Sequence, residues 1–263
     1  MLIKKLNPKT PGTRHQILID KNCLSKTNYL LKSNIKGIKF QAGRSPQTGH
    51  ITSWHKGGIK KKVFRILKLN FENTIYIIIS TFYDPNRNGY INLKYNFFQS
   101  KFELSLATNK LPSGTLLENG YKSENFKPGY FLPLDNIPIG SHIHSITNIN
   151  LNKIIWTKSA GTSSQLIQKT NKNVKIKLSS GKIISAPLKL FATIGKVSNK
   201  SSNLKVIGKA GKARIIGKRP IVRGVAMNAV DHPHGGQTSG GRPSVSPWGK
   251  LTKGVSTKKK IYV

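Results

Sequence analysis

The apolar positions of this chain fall into short runs divided by turn residues, a pattern of strands rather than of helices. "TIYIIIS" (74–80) is short and rich in β-branched residues, which favours a buried strand. "YDPNRNGY" follows it, with Pro85 and Gly89 supplying turn chemistry. "YINLKY" (90–95) and "KFELSLA" (101–107) alternate apolar and polar positions. A second group opens near "NIPIGSHIHSI" (136–146). It continues through "KIIWTK" (153–158), "SQLIQK" (164–169), "VKIKL" (174–178) and "KIISA" (182–186). "SSG" (179–181) predicts a tight hairpin between the last two. "SENFKPGYFLP" (123–133) separates the groups, and the pattern predicts two small barrels in tandem in an all-β protein. No long helix is expected, although 187–194 has room for a turn or two. No internal repeat is visible.

The ends read differently. "GRSPQTGHITSWHKGGIKKKVFR" (43–65) and "GKAGKARIIGKRPIVRGVAMN" (208–228) mix glycine and cations with little apolar periodicity. Glycine lets backbone approach a surface closely, and interleaved Lys and Arg supply phosphate contacts. The 263 residues carry a net charge of +37, from 45 basic and 8 acidic residues. Residues 1–70 hold 16 basic residues and one acid, Asp20; residues 200–263 hold 14 and one, Asp231. The other six acids lie in 71–199 among 15 basic residues, so the middle can pair some of its charge. The expected organisation is a globular centre flanked by two basic extensions that need a polyanion to relieve self-repulsion. Nucleic acid fits best, because each neutralised phosphate releases a condensed counterion. No apolar run is long enough to span a bilayer.

Chemistry is scarce. Cys23 is the only cysteine, which excludes an intramolecular disulfide and a cysteine-based zinc site. Only "DHPHGG" (231–236) concentrates chemistry-bearing side chains. Asp231, His232 and His234 can be read as metal ligands, as a general base with its orienter, or as a rigid loop packed against folded RNA. A metal site lacks a fourth ligand at an established spacing. A general base lacks a nucleophile and a pocket. The loop reading needs only what is present: Pro233 fixes the chain, Gly235 and Gly236 allow unusual backbone angles, and imidazoles donate to or stack on nucleotides.

"GKAGKARIIGKRPIVRGVAMNAVDHPHGG" closely resembles the signature of the ribosomal protein L2 family of the large subunit. "NPKTPGTRH" (7–15), "YDPNRNGYINL" (83–93), "LPLDNIPIGSHIHSI" (132–146), "KSAGT" (158–162), "ATIGKVSN" (192–199) and "SPWGKLTKG" (246–254) resemble further blocks of that family, in its order. The resemblance covers about residues 7–254. It implies an OB-like barrel over 60–122 and an SH3-like barrel over 123–197, with basic extensions at 1–59 and 198–263. It implies a structural, non-enzymatic protein that binds large-subunit ribosomal RNA near the peptidyl-transferase region and supports assembly and subunit association. Neighbouring ribosomal proteins are the other implied partners; no cofactor and no homo-oligomer are expected. The implied RNA-binding residues are Arg14, His15, Arg44, His55, Lys56, Gly57, Gly58, Lys60, Arg65, Arg87 and Lys158 in the first two thirds of the chain. Lys209, Lys212, Arg214, Lys218, Arg219, Arg223, Met227, Asn228, His232, His234, Gly235, Gly236, Trp248 and Lys250 follow. Asp231 and Pro233 are expected to shape the loop, the Asp231 carboxylate by accepting from local N–H groups or a nearby cation.

The chain departs from the family pattern in places. Trp54 stands for an arginine, Ile59 for a glycine, Lys60 for a histidine, Ile215 for a tryptophan, Ala229 for a proline and Gln237 for a glycine. Of the 45 basic residues 37 are Lys, and Asn and Ile are abundant, as an AT-rich genome encodes. Together with the drift, and a resemblance that starts close to Met1, this points to a mitochondrial ribosome, with a plastid or bacterial ribosome as alternatives.

Overall fold

The computed structural model describes residues 3–25, 35–39, 43–57, 62–121, 125–236 and 242–254. Two antiparallel pairs open it: β1 (Ile3–Lys5) with β2 (Ile17–Ile19), and β3 (Ile35–Lys39) with β4 (Lys62–Arg65). The first barrel contains β5 (Thr74–Phe82), β6 (Ile91–Asn96), β7 (Lys101–Leu106) and β8 (Leu116–Asn119), ordered β8-β5-β6-β7. The second contains β9 (Phe131–Pro133), β10 (His142–Asn148), β11 (Lys153–Trp156), β12 (Ser164–Lys169), β13 (Asn173–Lys177), β14 (Ile183–Pro187) and β15 (Phe191–Ile194). Its order is β14-β13-β12-β10-β15-β9, with β11 also on β10. A single parallel step, Asn119 beside Phe131, joins the barrels through β8 and β9. The all-β organisation expected from the strand groups, with the OB-like and SH3-like barrels that the resemblance implied, is therefore present.

Alternation explains the strands. In β5, Tyr76, Ile78 and Phe82 point inward and are buried. Ile75 and Ile79 point outward, 51% and 39% exposed. The run expected to be wholly buried thus has an open face, which four isoleucines among five residues conceal in the sequence. The apolar core runs from Tyr76, Ile78 and Leu117 into Leu132, Ile143, Leu166, Ile176 and Ala192. Each such large side chain contributes about 1.5–3 kcal/mol relative to exposure. Phe82, Ile91, Leu93 and Leu104 form a second cluster. The hairpin at 179–181 is as expected: Gly181 has φ 86° and donates to Leu178, and Leu178 donates to Lys182.

The helical turns expected over 187–194 are absent. Phe191 and Ala192 pair with Pro133 and Leu132 as strand β15, because that register buries both. The one α-helix among the described residues, α1 (Ala210–Ile216), lies where irregular chain was expected.

Polar groups are also interior. His144 is buried; its Nε2 lies 2.9 Å from Thr108 Oγ1 and its Nδ1 2.9 Å from Ser145 Oγ. Burial drives its pKa from 6.5 down to about 3. Lys94 is buried with Nζ 3.7 Å from the Tyr76 ring centroid. Burial lowers its pKa to about 8, partly opposed by the nearby Glu103 carboxylate.

The chain divides into two compact units. Residues 1–40 and 60–212 form the first, which holds both barrels; residues 41–59 and 213–263 form the second. The second unit therefore takes one segment from each of the regions that the charge pattern marks as separate extensions.

Candidate nucleic-acid interface

The second unit holds 12 basic residues against one acid. Among its described residues only His232 and Gly235 are buried. Backbone hydrogen bonds, not an apolar core, set its shape. His55–Gly57 run antiparallel to Gly217–Pro220: Gly57 donates to Gly217 at 3.1 Å, Arg219 donates to His55 at 3.1 Å, and Lys56 bridges Lys218. His55 Nδ1 lies 3.2 Å from Pro220 C=O. Thus His55, Lys56, Gly57, Lys218 and Arg219, split between the ends of the sequence, meet in one place, and their charged side chains are exposed.

The 227–236 loop is closed on itself. Asn228 C=O accepts from Asp231 and His232, His232 C=O from Gly235, and Met227 C=O from Gly236. His232 Nδ1 accepts from the His234 N–H at 3.0 Å, which leaves its proton on Nε2 in the neutral ring. The two imidazoles lie 4.8 Å apart, tilted by 47°. His234 Nε2 lies 2.8 Å from Pro243 C=O, and the Arg242 guanidinium donates to Pro233 C=O. Two glycines make this possible. A Cβ on Gly224 would lie 2.5 Å from His232 Nδ1, and one on Gly235 would collide with Asn228 C=O. Gly236, at φ 90°, takes a backbone angle that L side chains rarely adopt. Arg223, Met227, Asn228 and Gly236 border one shallow hollow.

Two expectations change here. His232 is packed into the loop rather than projected from it, because Gly224 leaves room for its ring. Asp231 is exposed and, among the described residues, its carboxylate accepts no hydrogen bond; its backbone N–H closes the turn instead. That arrangement gives His232 no carboxylate orienter. Among the described residues no three His, Cys, Asp or Glu side chains are grouped to hold a metal.

The first unit places the remaining candidates. Arg14 and His15 are exposed in a turn fixed by Thr10 and Thr13. The Lys209 side chain passes beside Gly12 of that same turn. Arg87 and Lys158 line one hollow with Asn86, Asn88 and Ser159. Arg65, by contrast, is buried: it donates to Tyr83 C=O at 2.8 Å and lies 3.8 Å from Asp84. Arg87 Nε is 2.7 Å from the same buried carboxylate and its guanidinium donates to Arg65 C=O. Asp84 thus claims Arg65 for the interior and orients Arg87. Of the candidates left in the second unit, Arg214 is half-buried on α1, and Arg44, Arg223, Trp248 and Lys250 are exposed. Gly58, Lys60 and the departures at Ile59 and Gln237 lie outside the described residues.

Lys212 lines a hollow with Lys4, Lys21, Lys205, Tyr83 and Asn199. Lys21 Nζ sits 3.6 Å from the Tyr83 ring centroid, and burial, then the charge of Lys205, lowers its pKa. Sequence reasoning did not single out Lys4, Lys21, Lys205 or Tyr83, since no spacing links three cations and a ring drawn from four separate segments.

Comparison with known proteins fits this arrangement. A family model described as the RNA-binding N-terminal domain of ribosomal proteins L2 matches residues 31–119, and the C-terminal domain of the same proteins matches 127–249. The chain belongs to the ribosomal protein L2 family. It is 44% identical over 265 residues to the large ribosomal subunit protein uL2 of Rickettsia massiliae (strain Mtu5), covering 98% of this chain and 95% of that protein. The uL2 proteins of Rickettsia rickettsii (strain Sheila Smith) and Rickettsia typhi are 44% and 42% identical over the same shares. The two L2 models divide the chain between β8 and β9, where the barrels meet.

Proposed function

We propose that this chain is a structural, non-enzymatic constituent of the large ribosomal subunit that binds large-subunit ribosomal RNA. It acts near the peptidyl-transferase region and supports assembly and subunit association, with neighbouring ribosomal proteins as further partners. The observation that carries this reading is the second unit: among its described residues only His232 and Gly235 are buried and no apolar core is formed, and all its charged residues but one are basic. Such a unit gains order when phosphates lie between its cations. The exposed Arg and Lys of 55–57, 218–223 and 250 are the proposed phosphate contacts. His234 and the closed 227–236 loop present a rigid face to folded RNA, with His232 as its internal prop. The first unit adds Arg14, His15, Arg87, Lys158, Lys209 and Lys212, while Arg65 and Asp231 act on structure. No cofactor and no self-association are needed.

The ribosome concerned is proposed to be mitochondrial, on the Lys-, Asn- and Ile-rich composition and the drift from the family pattern; the relatives above are bacterial, and a plastid or bacterial ribosome is the alternative. Sedimentation tests both parts. Tagged chain from its native cell should co-sediment with the large subunit in the organelle fraction. Co-sedimentation from the cytosol alone would refute the location but not the function, and absence from every ribosome fraction would refute the function.

A further inference from the structure

Two of the three tryptophans, Trp54 and Trp248, meet edge to face in the second unit, with ring centroids 5.8 Å apart and planes at 66°. They remain 51% and 68% exposed. Each rides on a turn that backbone hydrogen bonds hold. Trp54 follows the Arg44–Ile51 bridge, where Thr52 and Ser53 both donate to Gly43 C=O at 2.9 and 3.0 Å. Trp248 stands at the tip of a hairpin closed by the Val245–Leu251 bridge, with Gly249 at φ 76°. The indoles are therefore positioned although, among the described residues, no apolar core lies beneath them.

Large apolar rings held rigidly in the open are costly unless something covers them. An edge-to-face pair makes a corner: the edge of one ring covers part of the other, the His55 ring lies 6.3 Å from Trp54, and both indoles keep exposed surface for a further ring. The surroundings select the occupant. With 12 basic residues to one acid, the unit attracts a polyanion, and a polyanion with flat apolar faces is an unpaired strand of nucleic acid. A protein partner would need an acidic surface with an apolar wedge, and nothing beside the corner favours one. We infer that the Trp54–Trp248 corner receives one unpaired RNA base, which stacks on one indole and meets the edge of the other. Lys56 and Lys250, each two residues from an indole, take the phosphates on either side. The inference rests on the RNA binding proposed above and adds a stacking site to it. Trp54, which stands where the family pattern has an arginine, becomes half of that site.

The test uses the full chain with Trp156→Phe, so that these two indoles alone report. The probes are an oligouridylate and an abasic ribose-phosphate strand of equal length. Oligouridylate should bind more tightly and quench the indole emission; the abasic strand should bind without quenching. Trp54→Ala with Trp248→Ala should weaken oligouridylate about tenfold or more and leave the abasic strand unchanged. Trp54→Phe with Trp248→Phe should keep most of the affinity, which separates stacking from misfolding. A 5-bromouridine strand should crosslink to Trp54 or Trp248. If the two probes bind alike and neither quenches, stacking is refuted while RNA binding stands. If neither probe binds at low salt, the RNA reading falls and this inference with it.

Discussion

Gly224 and His232 act as one unit across eight residues. The motif around His232 was legible in the sequence, but its direction was not, because the space for the ring comes from a glycine outside the motif. Replacing Gly224 with Val should expel the ring and reproduce the defect of His232→Ala: barrels that unfold at their usual temperature, and large subunits that assemble or translate poorly. Normal translation by both variants would show that the ring's position has no role. Arg65 teaches the same lesson. The resemblance implied an RNA contact, and only the fold reveals Asp84, nineteen positions later, as its partner. His144 makes a pH prediction. Folded, it stays neutral down to about pH 3, whereas the unfolded chain takes up a proton near 6.5. Below 6.5 the unfolded state therefore binds more protons, and stability falls with pH by about 1.4 kcal/mol per unit until about 3. Urea midpoints at pH 7 and 4.5 check this. His144→Gln should be less stable at pH 7 but lose less between the two, and an equal loss would clear His144 of the effect.

Strands with alternating patterns or tight turns between them were readable; strands defined by their neighbours were not. β12 and the β13–β14 hairpin stand where period and turn chemistry place them. β15 looked like a possible helical turn, and β4 like part of a basic extension, because four residues carry too little period to distinguish strand from helix. Their identity comes from the partners they meet, β9 and β10 for one and β3 for the other. The 179–181 turn isolates the local contribution. A Cβ at Gly181 would meet nothing within 4 Å, so only its positive φ opposes substitution. Gly181→Ala should cost about 1 kcal/mol, lowering Tm by about 2–4 °C, while Gly181→Asn should be nearly neutral. Calorimetry of the two variants decides the matter, and equal losses would show that side-chain bulk rather than backbone angle is limiting.

Over the whole molecule, the two barrels, the basic ends and the polyanion partner could be read from strand groups and charge placement. The joining of the ends into one unit could not, since it depends on backbone hydrogen bonds between residues 55–57 and 217–220, which leave no mark in composition. Two measurements probe this scale. Affinity for ribosomal RNA should fall steeply with salt: neutralising ~6–10 phosphates costs about 10³–10⁵ in affinity between 50 and 200 mM on the duplex-DNA scale. A flat response would make stacking, not charge, dominant. Limited trypsin digestion of free protein should remove 213–263 while the barrels persist, because outward-facing cations open easily; equal resistance of both units would contradict the role given to RNA.

The union of residues 41–59 with 213–263 also sets an order of events on the translating ribosome. The first partner emerges long before the second: 153 residues lie between Ile59 and Ala213, about 8–30 s of elongation at ~5–20 residues per second. Only towards the end of that interval do the barrels have all their strands, and throughout it His55–Gly57 have nothing to zip against. A chain cut short before Ala213 can complete its core and still lacks the cationic clasp. Completion of synthesis is thus a condition for full RNA binding, and the fold itself screens unfinished copies from the particle under construction.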